Sequence, residues 1–319
     1  LCLFVAKHPL PSLALWRLGG SSSACHSRLC VSAPSAIFNP LKLPANVSYN
    51  PTIPQTRHPR PETRPMAILV TEHAERDATN TLSATLRDHG HKLMVVRPGR
   101  GEALPPDLDN IDGLVIMGGP QSTDEMVHHP WMAREIELIT QAHERGLPIV
   151  GVCLGAQLVA LALGGEVGKA EKPELGMGKV TQSFFGTTDP LLAGIPWDSV
   201  QMHAHGYEVK TLPPGGTPAP LMSSAHCKAQ CFRVGLTTYG IQYHFEWDKE
   251  KCLDVIDEYA DLWAPATGQS GDELRQGIEQ HFDMYRHLGD RQCKLIADRL
   301  FPLDKRLPDS GVEVANFRR

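Results

Sequence analysis

One eight-residue stretch constrains this chain more than any other. Val150-Gly151-Val152 is an apolar, strand-like run, Leu154-Gly155-Ala156-Gln157 opens a helix-like one, and Cys153 stands between them with a glycine two positions away on each side. Glycines at those positions permit a tight strand-to-helix turn with close backbone contacts. Such a turn belongs to a parallel sheet flanked by helices, and it exposes its central side chain at the carboxyl end of a strand, where these sheets bind ligands. The same side chain sits at a helix N-terminus, whose partial positive charge favours a thiolate.

The surrounding sequence has the alternation this geometry requires. Ala67–Thr71 reads as a buried strand and His91–Arg97, Ile111–Met117 and Leu147–Val152 as the strands after it, with Asp77–Asp88, Trp131–Glu144 and Leu154–Leu163 as the helices between and after them. Strands alternating with helices at this spacing predict an α/β fold with a mostly parallel, doubly wound sheet. From Glu166 to Tyr243 the pattern changes to short strands and turns (Val180–Phe185, Tyr207–Leu212, Ala229–Val234, Tyr239–Tyr243), which predicts a small antiparallel extension. Lys249–Tyr259, Asp272–Leu288 and Asp290–Leu300 read as a helical C-terminal extension packed on the same domain, and Phe301–Arg319 as an irregular tail.

Residues 1–65 are different. They hold ten of the 26 prolines and seven Lys or Arg against one acid, Glu62, whereas the whole chain nets −5. With prolines this dense no helix or central strand is sustained. The segment reads as a disordered or targeting leader, or as sequence ahead of a start at Met66. The expected division is therefore 1–65 leader, 66–248 main domain and 249–319 helical extension. The acidic balance of the body gives no electrostatic case for nucleic acid. No apolar run approaches the roughly 18 residues that cross a bilayer. Five irregularly spaced cysteines in the body (Cys153, Cys227, Cys231, Cys252, Cys293) fit reduced thiols in a cytoplasmic setting. Cys227 and Cys231, beside His226, make a single Cys-x3-Cys pair with no second pair at zinc spacing, so no metal is expected.

Two further motifs complement Cys153. In Gly240-Ile-Gln-Tyr-His244-Phe-Glu246 the His and Glu are two apart at a strand end, where alternate side chains share a face. Glu246 can then orient an imidazole whose other nitrogen meets a thiol, giving nucleophile, base and orienter. Gly118-Gly119-Pro120 ends the third strand, and glycines there allow backbone N–H groups to approach a developing oxyanion.

In this order the three motifs resemble the class I, triad-type glutamine amidotransferase domain, over about Ala67 to Asp248, with a GMP-synthase-like flavour. The resemblance implies a flavodoxin-like three-layer fold and an enzyme that releases ammonia from glutamine through a γ-glutamyl thioester. It implies Cys153, His244 and Glu246 as catalytic residues and the N–H groups of Gly119 and Leu154 as the oxyanion hole. Gly118, Gln157 and the His205-Gly206-Tyr207 segment are implied as substrate contacts, and Glu174-Leu175-Gly176 is similar to another recurring stretch of that family. No cofactor is implied. Phe245 stands where the family commonly has Pro, and Ala204 where many members carry a polar residue.

No phosphate-binding loop of the kind fused synthetases carry is present, and roughly 70 residues follow the His-x-Glu motif. The chain reads as a glutaminase-type domain acting on glutamine or another γ-glutamyl compound, with a separate synthetase or acceptor protein as a possible partner. Two other readings stay open at this point: a γ-glutamyl peptidase of the same fold, and a catalytically idle regulatory protein.

Overall fold

A computed structural model describes residues 67–73 and 80–303. The expected leader, Asp77–Thr79 and residues 304–319 lie outside the described residues. The chain enters on β1 (Ala67–Thr71), buried at all five positions, the signature of a strand covered on both faces. Helix α1 (Thr81–Asp88) follows, starting at Thr81 because Asn80 is extended and accepts the Ser83 N–H at 2.7 Å. Then come β2 (Leu93–Val96), β3 (Ile111–Ile116), α2 (Trp131–Glu144), β4 (Ile149–Val152) and α3 (Leu154–Ala162), close to the boundaries read from sequence.

Beyond α3 the structure departs from the expectation of short strands. Strand β5 (Glu166–Gln182) and β6 (Asp198–Thr211) form one long antiparallel ribbon, joined through the single-turn α4 (Phe184–Thr187). The expected strand Val180–Phe185 is therefore the end of β5 plus a turn of helix capped by Ser183. Polar and glycine-bearing stretches such as Glu166–Lys172 lack the β-branched enrichment that marks a strand in sequence, and the pairing of β5 with β6 shifts register between Lys169 and Glu174. Next come β7 (Met222–Ser223), β8 (Cys231–Val234) and β9 (Thr238–Ile241), then α5 (Lys249–Thr267) and α6 (Gly271–Leu295).

Helix α6 is continuous where two helices were expected. Gly289 does not break it, because this is where α6 lies against the Phe245 carbonyl, and any side chain there would strike that oxygen. Helix α5 likewise runs past Tyr259 to Thr267, carrying Pro265 in its last turn.

The nine strands of the described residues form one sheet in the order β2-β1-β3-β4-β9-β8-β7-β5-β6. Strands β2 to β9 in that order are parallel, and β9 to β6 antiparallel. The α/β architecture with helices on both faces is as expected. Alternate residues of the central strands separate the core: Ile68, Val70, Val115 and Val152 pack with α1 and α6, while Leu69, Leu114, Ile116 and Ile149 pack with α2 and α3. A third cluster, including Leu175, Met202, Ile256, Leu274 and Tyr285, seats α5 and α6 on the ribbon. Among the described residues no helix is long and apolar enough to cross a membrane.

The consequence for the site is topological. Strand β4 lies between β3 and β9, all three parallel. The segments after β3, β4 and β9 therefore leave the sheet side by side.

Candidate active site

Those three segments carry the three motifs. Cys153 follows β4 as the N-cap of α3, with φ 53° and ψ −109°. It is one of two described non-glycine residues at positive φ. The conformation is strained, and its surroundings enforce it. The Cys153 N–H donates to Ile241 O at 2.8 Å and its carbonyl accepts the Gln157 N–H at 3.1 Å. Both flanking glycines are required by close packing. A side chain on Gly151 would meet the Gly155 backbone, and one on Gly155 would meet Ile116 O.

His244 lies just past β9, where its N–H donates to Met202 O at 2.8 Å and ties the segment to β6. Its ring stacks on Trp247 with centroids 3.5 Å apart. Nδ1 is 2.8 Å from Glu246 Oε1, and Glu246 Oε2 accepts the Phe245 N–H at 2.9 Å. Thr81, at the start of α1, donates to the Glu246 carbonyl through both its N–H and its hydroxyl. The imidazole and Cys153 flank the same bare stretch of backbone at Gly118, with the sulfur near enough to act on the charge of the ring, while the thiol itself points toward Ala204 O at 3.9 Å. Burial disfavours the His244 cation, but the Glu246 carboxylate and the Cys153 sulfur outweigh it, and the pKa is pushed up to about 9.

Gly118 and Gly119 complete this edge. A Cβ on Gly118 would fall 2.9 Å from His244 Cε1 and 3.3 Å from Cys153 Cβ, so bare backbone passes beside both groups. A Cβ on Gly119 would fall 2.6 Å from the His73 Cβ and 3.2 Å from Leu154 Cδ2. Cys153, Leu154, Gly118, Gly119, Gln157, His205, Gly206, Tyr207, His244 and Glu246 all line one cavity of about 810 Å³. Every site residue read from the sequence is thus brought to one place.

Local contacts refine several of them. Gln157 directs its amide nitrogen to Tyr207 O at 3.1 Å and Gln242 Oε1 at 3.2 Å, bracing the segment that follows His205. His205 is itself fixed, with Nδ1 3.2 Å from Tyr207 O and Nε2 3.1 Å from Glu174 Oε2. Burial raises the Glu174 carboxyl, but hydrogen bonds from His205 and Ser224 and the neighbouring histidines prevail, bringing it to about 2. Glu174, His205 and Cys227 place one potential ligand atom each within 4.8 Å of one another, the described group with the right chemistry for a cation. Burial, with Glu208 nearby, pushes the Cys227 thiol well up and keeps it protonated, and Glu174 and His205 already satisfy each other.

The sequence reading missed four residues here. Gln242 donates toward Cys153 Sγ at 3.6 Å, Trp247 supports the imidazole, and His73 with its partner Glu135 lies under the glycine turn. His73 sits two residues beyond β1, at the same carboxyl edge as the other motifs, which is the signal that could have found it. Tyr259 and Trp263 of α5 also wall the cavity.

Comparison with known proteins agrees with this geometry. Residues 74–251 match the model of the family described as glutamine amidotransferase class-I. The chain belongs to this family. As a class-I glutamine amidotransferase it is 30% identical over 207 residues to the glutamine amidotransferase-like protein YfeJ of Salmonella typhimurium, covering 64% of this chain and 85% of that protein. It is 35% identical over 164 residues to a glutamine-hydrolyzing GMP synthase subunit of Archaeoglobus fulgidus, covering 51% of this chain and 79% of that one. It is 27% identical over 165 residues to gamma-glutamyl peptidase 3 of Arabidopsis thaliana, covering 49% of this chain and 63% of the peptidase. The GMP-synthase-like flavour read from the motifs agrees with the second of these relatives.

Proposed function

We propose that this class-I glutamine amidotransferase hydrolyses the side-chain amide of glutamine through Cys153, His244 and Glu246. The observation that carries the reading is the Cys153 thiol, on a strained strand-to-helix turn, near an imidazole held by a buried carboxylate. With its pKa pushed up to about 9, His244 holds a proton near neutral pH, the one the departing nitrogen needs. The Cys153 sulfur attacks the amide carbon, and the N–H groups of Gly119 and Leu154 receive the oxyanion. The tetrahedral adduct collapses as His244 gives its proton to the departing nitrogen, releasing ammonia and leaving a γ-glutamyl thioester. His244 then takes a proton from water, which attacks the thioester, and glutamate is released as the C–S bond breaks and the free Cys153 sulfur is restored. The His205-Gly206-Tyr207 segment, Gly118 and Gln157 frame the far end of the substrate.

A second reading is favoured by the cavity. Its volume of about 810 Å³ lies in the upper part of the ~300–1,000 Å³ range of small-molecule sites, more than a single amino acid fills. Part of the wall comes from Tyr259 and Trp263, beyond the matched residues 74–251. A γ-glutamyl conjugate with an organic amine as leaving group would use the same chemistry, as the name of the peptidase relative suggests for that protein. For this reason we treat residues 66–248 and the α5–α6 segment as one functional unit. A separate synthetase has ammonia to receive only where glutamine is the substrate, since a γ-glutamyl conjugate releases its own amine instead. The buried free thiols Cys227, Cys231, Cys252 and Cys293 support a reducing compartment such as the cytoplasm.

The deciding experiment measures glutamate release from glutamine and from γ-glutamyl dipeptides, with wild type and Cys153→Ala. Release from glutamine that vanishes in the variant supports the first reading. Faster turnover of the dipeptides supports the second. Equal activity of the two proteins overturns both.

A further inference from the structure

We propose that His73 and Glu135 form a buried positioning pair that fixes the turn bearing the Gly119 N–H, with a proton held between His73 Nε2 and the Glu135 carboxylate. The proposal rests on the reading of Gly119 as an oxyanion donor. His73 is 2% exposed and Glu135, on α2, is 1% exposed. The imidazole stacks on Trp131 with centroids 4.7 Å apart and 13° between planes, so the ring cannot swing. Nδ1 lies 3.0 Å from Met117 O, and Nε2 lies 2.9 and 3.1 Å from the two Glu135 oxygens.

Proton bookkeeping follows from these contacts. A carbonyl only accepts, so Nδ1 carries the hydrogen directed at Met117 O. A neutral imidazole then has a bare Nε2, and a bare nitrogen facing an ionised carboxylate at 2.9 Å is repulsive. The pair is therefore bound by one further proton, as imidazolium and carboxylate. Burial works against charging the ring, but the Glu135 carboxylate, with the bonds to Glu135 and to Met117, prevails, and His73 titrates above its usual range.

What this proton secures is the direction of the next peptide bonds. Met117 is the last residue before Gly118 and Gly119, and its carbonyl is pinned by Nδ1. The His73 backbone carbonyl accepts from Gln121 Nε2 at 3.3 Å on the other side of the turn. Gly119 packs so closely on the His73 Cβ that an added methyl would fall 2.6 Å from it. The turn is thus clamped by one residue from two sides. Without the Glu135 partner the ring loses what holds its Nδ1–H toward Met117, and the oxyanion donor loses its aim.

The test compares His73→Phe, Glu135→Ala and Glu135→Gln with wild type on whichever of glutamine and γ-glutamyl dipeptides the wild type turns over faster, together with the rate at which iodoacetamide alkylates Cys153. Alkylation needs the thiolate and no oxyanion hole. Expected are a roughly 10- to 100-fold fall in kcat for His73→Phe and Glu135→Ala, KM within about twofold, and unchanged alkylation. Glu135→Gln, whose amide can donate to Nε2 and keep Nδ1–H on Met117, should recover most of the loss. Nitrogen NMR of the wild type adds a reading that no variant's folding can obscure, and His73 should show both ring nitrogens protonated near pH 7. Alkylation falling in parallel with kcat, kcat within twofold of wild type in both disruptive variants, or either ring nitrogen of His73 bare in the spectrum would each overturn the pair. Absence of wild-type turnover would instead overturn the functional reading beneath it.

Discussion

His244 Nδ1 lies 2.8 Å from Glu246 Oε1, and the two side chains are only 3% and 1% exposed. Two residues apart in sequence, they are not paired by strand geometry alone, since β9 ends at Ile241. The bridge from His244 to Met202, the Trp247 stack and the bonds from Thr81 to the Glu246 carbonyl hold them together. A buried carboxylate facing an imidazole favours its cation, and the nearby sulfur acts in the same direction.

Glu246→Gln should therefore lower the His244 pKa, because the charge that offsets burial is gone. The alkaline limb of kcat/KM, set by loss of the imidazolium that protonates the leaving nitrogen, should move down by about one pH unit or more. Turnover at the optimum should fall by about 10²–10⁴. A pH profile of the variant against wild type checks both, and an unmoved alkaline limb would show that this limb belongs to another group.

Cys153→Gly and Cys153→Ala should separate stability from activity. Both remove the thiol, and glutamate release should drop to background in each. Glycine, unlike alanine, adopts φ 53° and ψ −109° without steric strain. The Gly variant should accordingly be more stable than the Ala variant by about 0.5–1 kcal/mol, read as the difference in urea midpoints. An Ala variant as stable as the Gly variant would mean that the elbow carries no strain.

Gly155→Ala should cost at least about 2 kcal/mol in urea unfolding, since its methyl would be driven into the Ile116 carbonyl between α3 and β3. Gly268→Ala is the control for backbone strain alone, because a Cβ there meets nothing within 4 Å although φ is 73°. That variant should lose only about 1 kcal/mol.

Glu174 sets a test in acid. Its carboxyl titrates near 2 in the folded state against 4.5 ordinarily. A depressed folded value contributes stability that is complete above the ordinary value and lost as pH falls through the folded one, here between about 4.5 and 2. Glu174→Gln should remove that dependence, on the order of 2 kcal/mol across the window. Denaturant titrations at pH 5 and pH 3 on both proteins measure it, and parallel losses would point to other carboxylates.

The local chemistry of this protein is written in its sequence. The glycine spacing about Cys153, the His-x-Glu pair and the Gly118-Gly119 turn each follow from backbone sterics and side-chain type within a few residues. The alternation of apolar runs is enough for the parallel half of the sheet, because strands buried on both faces are continuous in hydrophobicity. The β5–β6 ribbon is not legible in this way, because its residues are polar and glycine-bearing and are held by pairing with a distant strand. Helix α6 reads as two helices because Gly289 looks like a stop until Phe245 is seen against it.

Only the tertiary structure decided that β3, β4 and β9 are neighbours, and hence that Cys153 and His244, 91 positions apart in the chain, line one cavity on either side of Gly118. It also decided that Glu135, a charged position on an amphipathic helix, is buried against His73. The physical reason is the same in each case. Strand order and helix docking are set by summed burial over many residues, whereas a turn or a cap is set by the steric limits of a few.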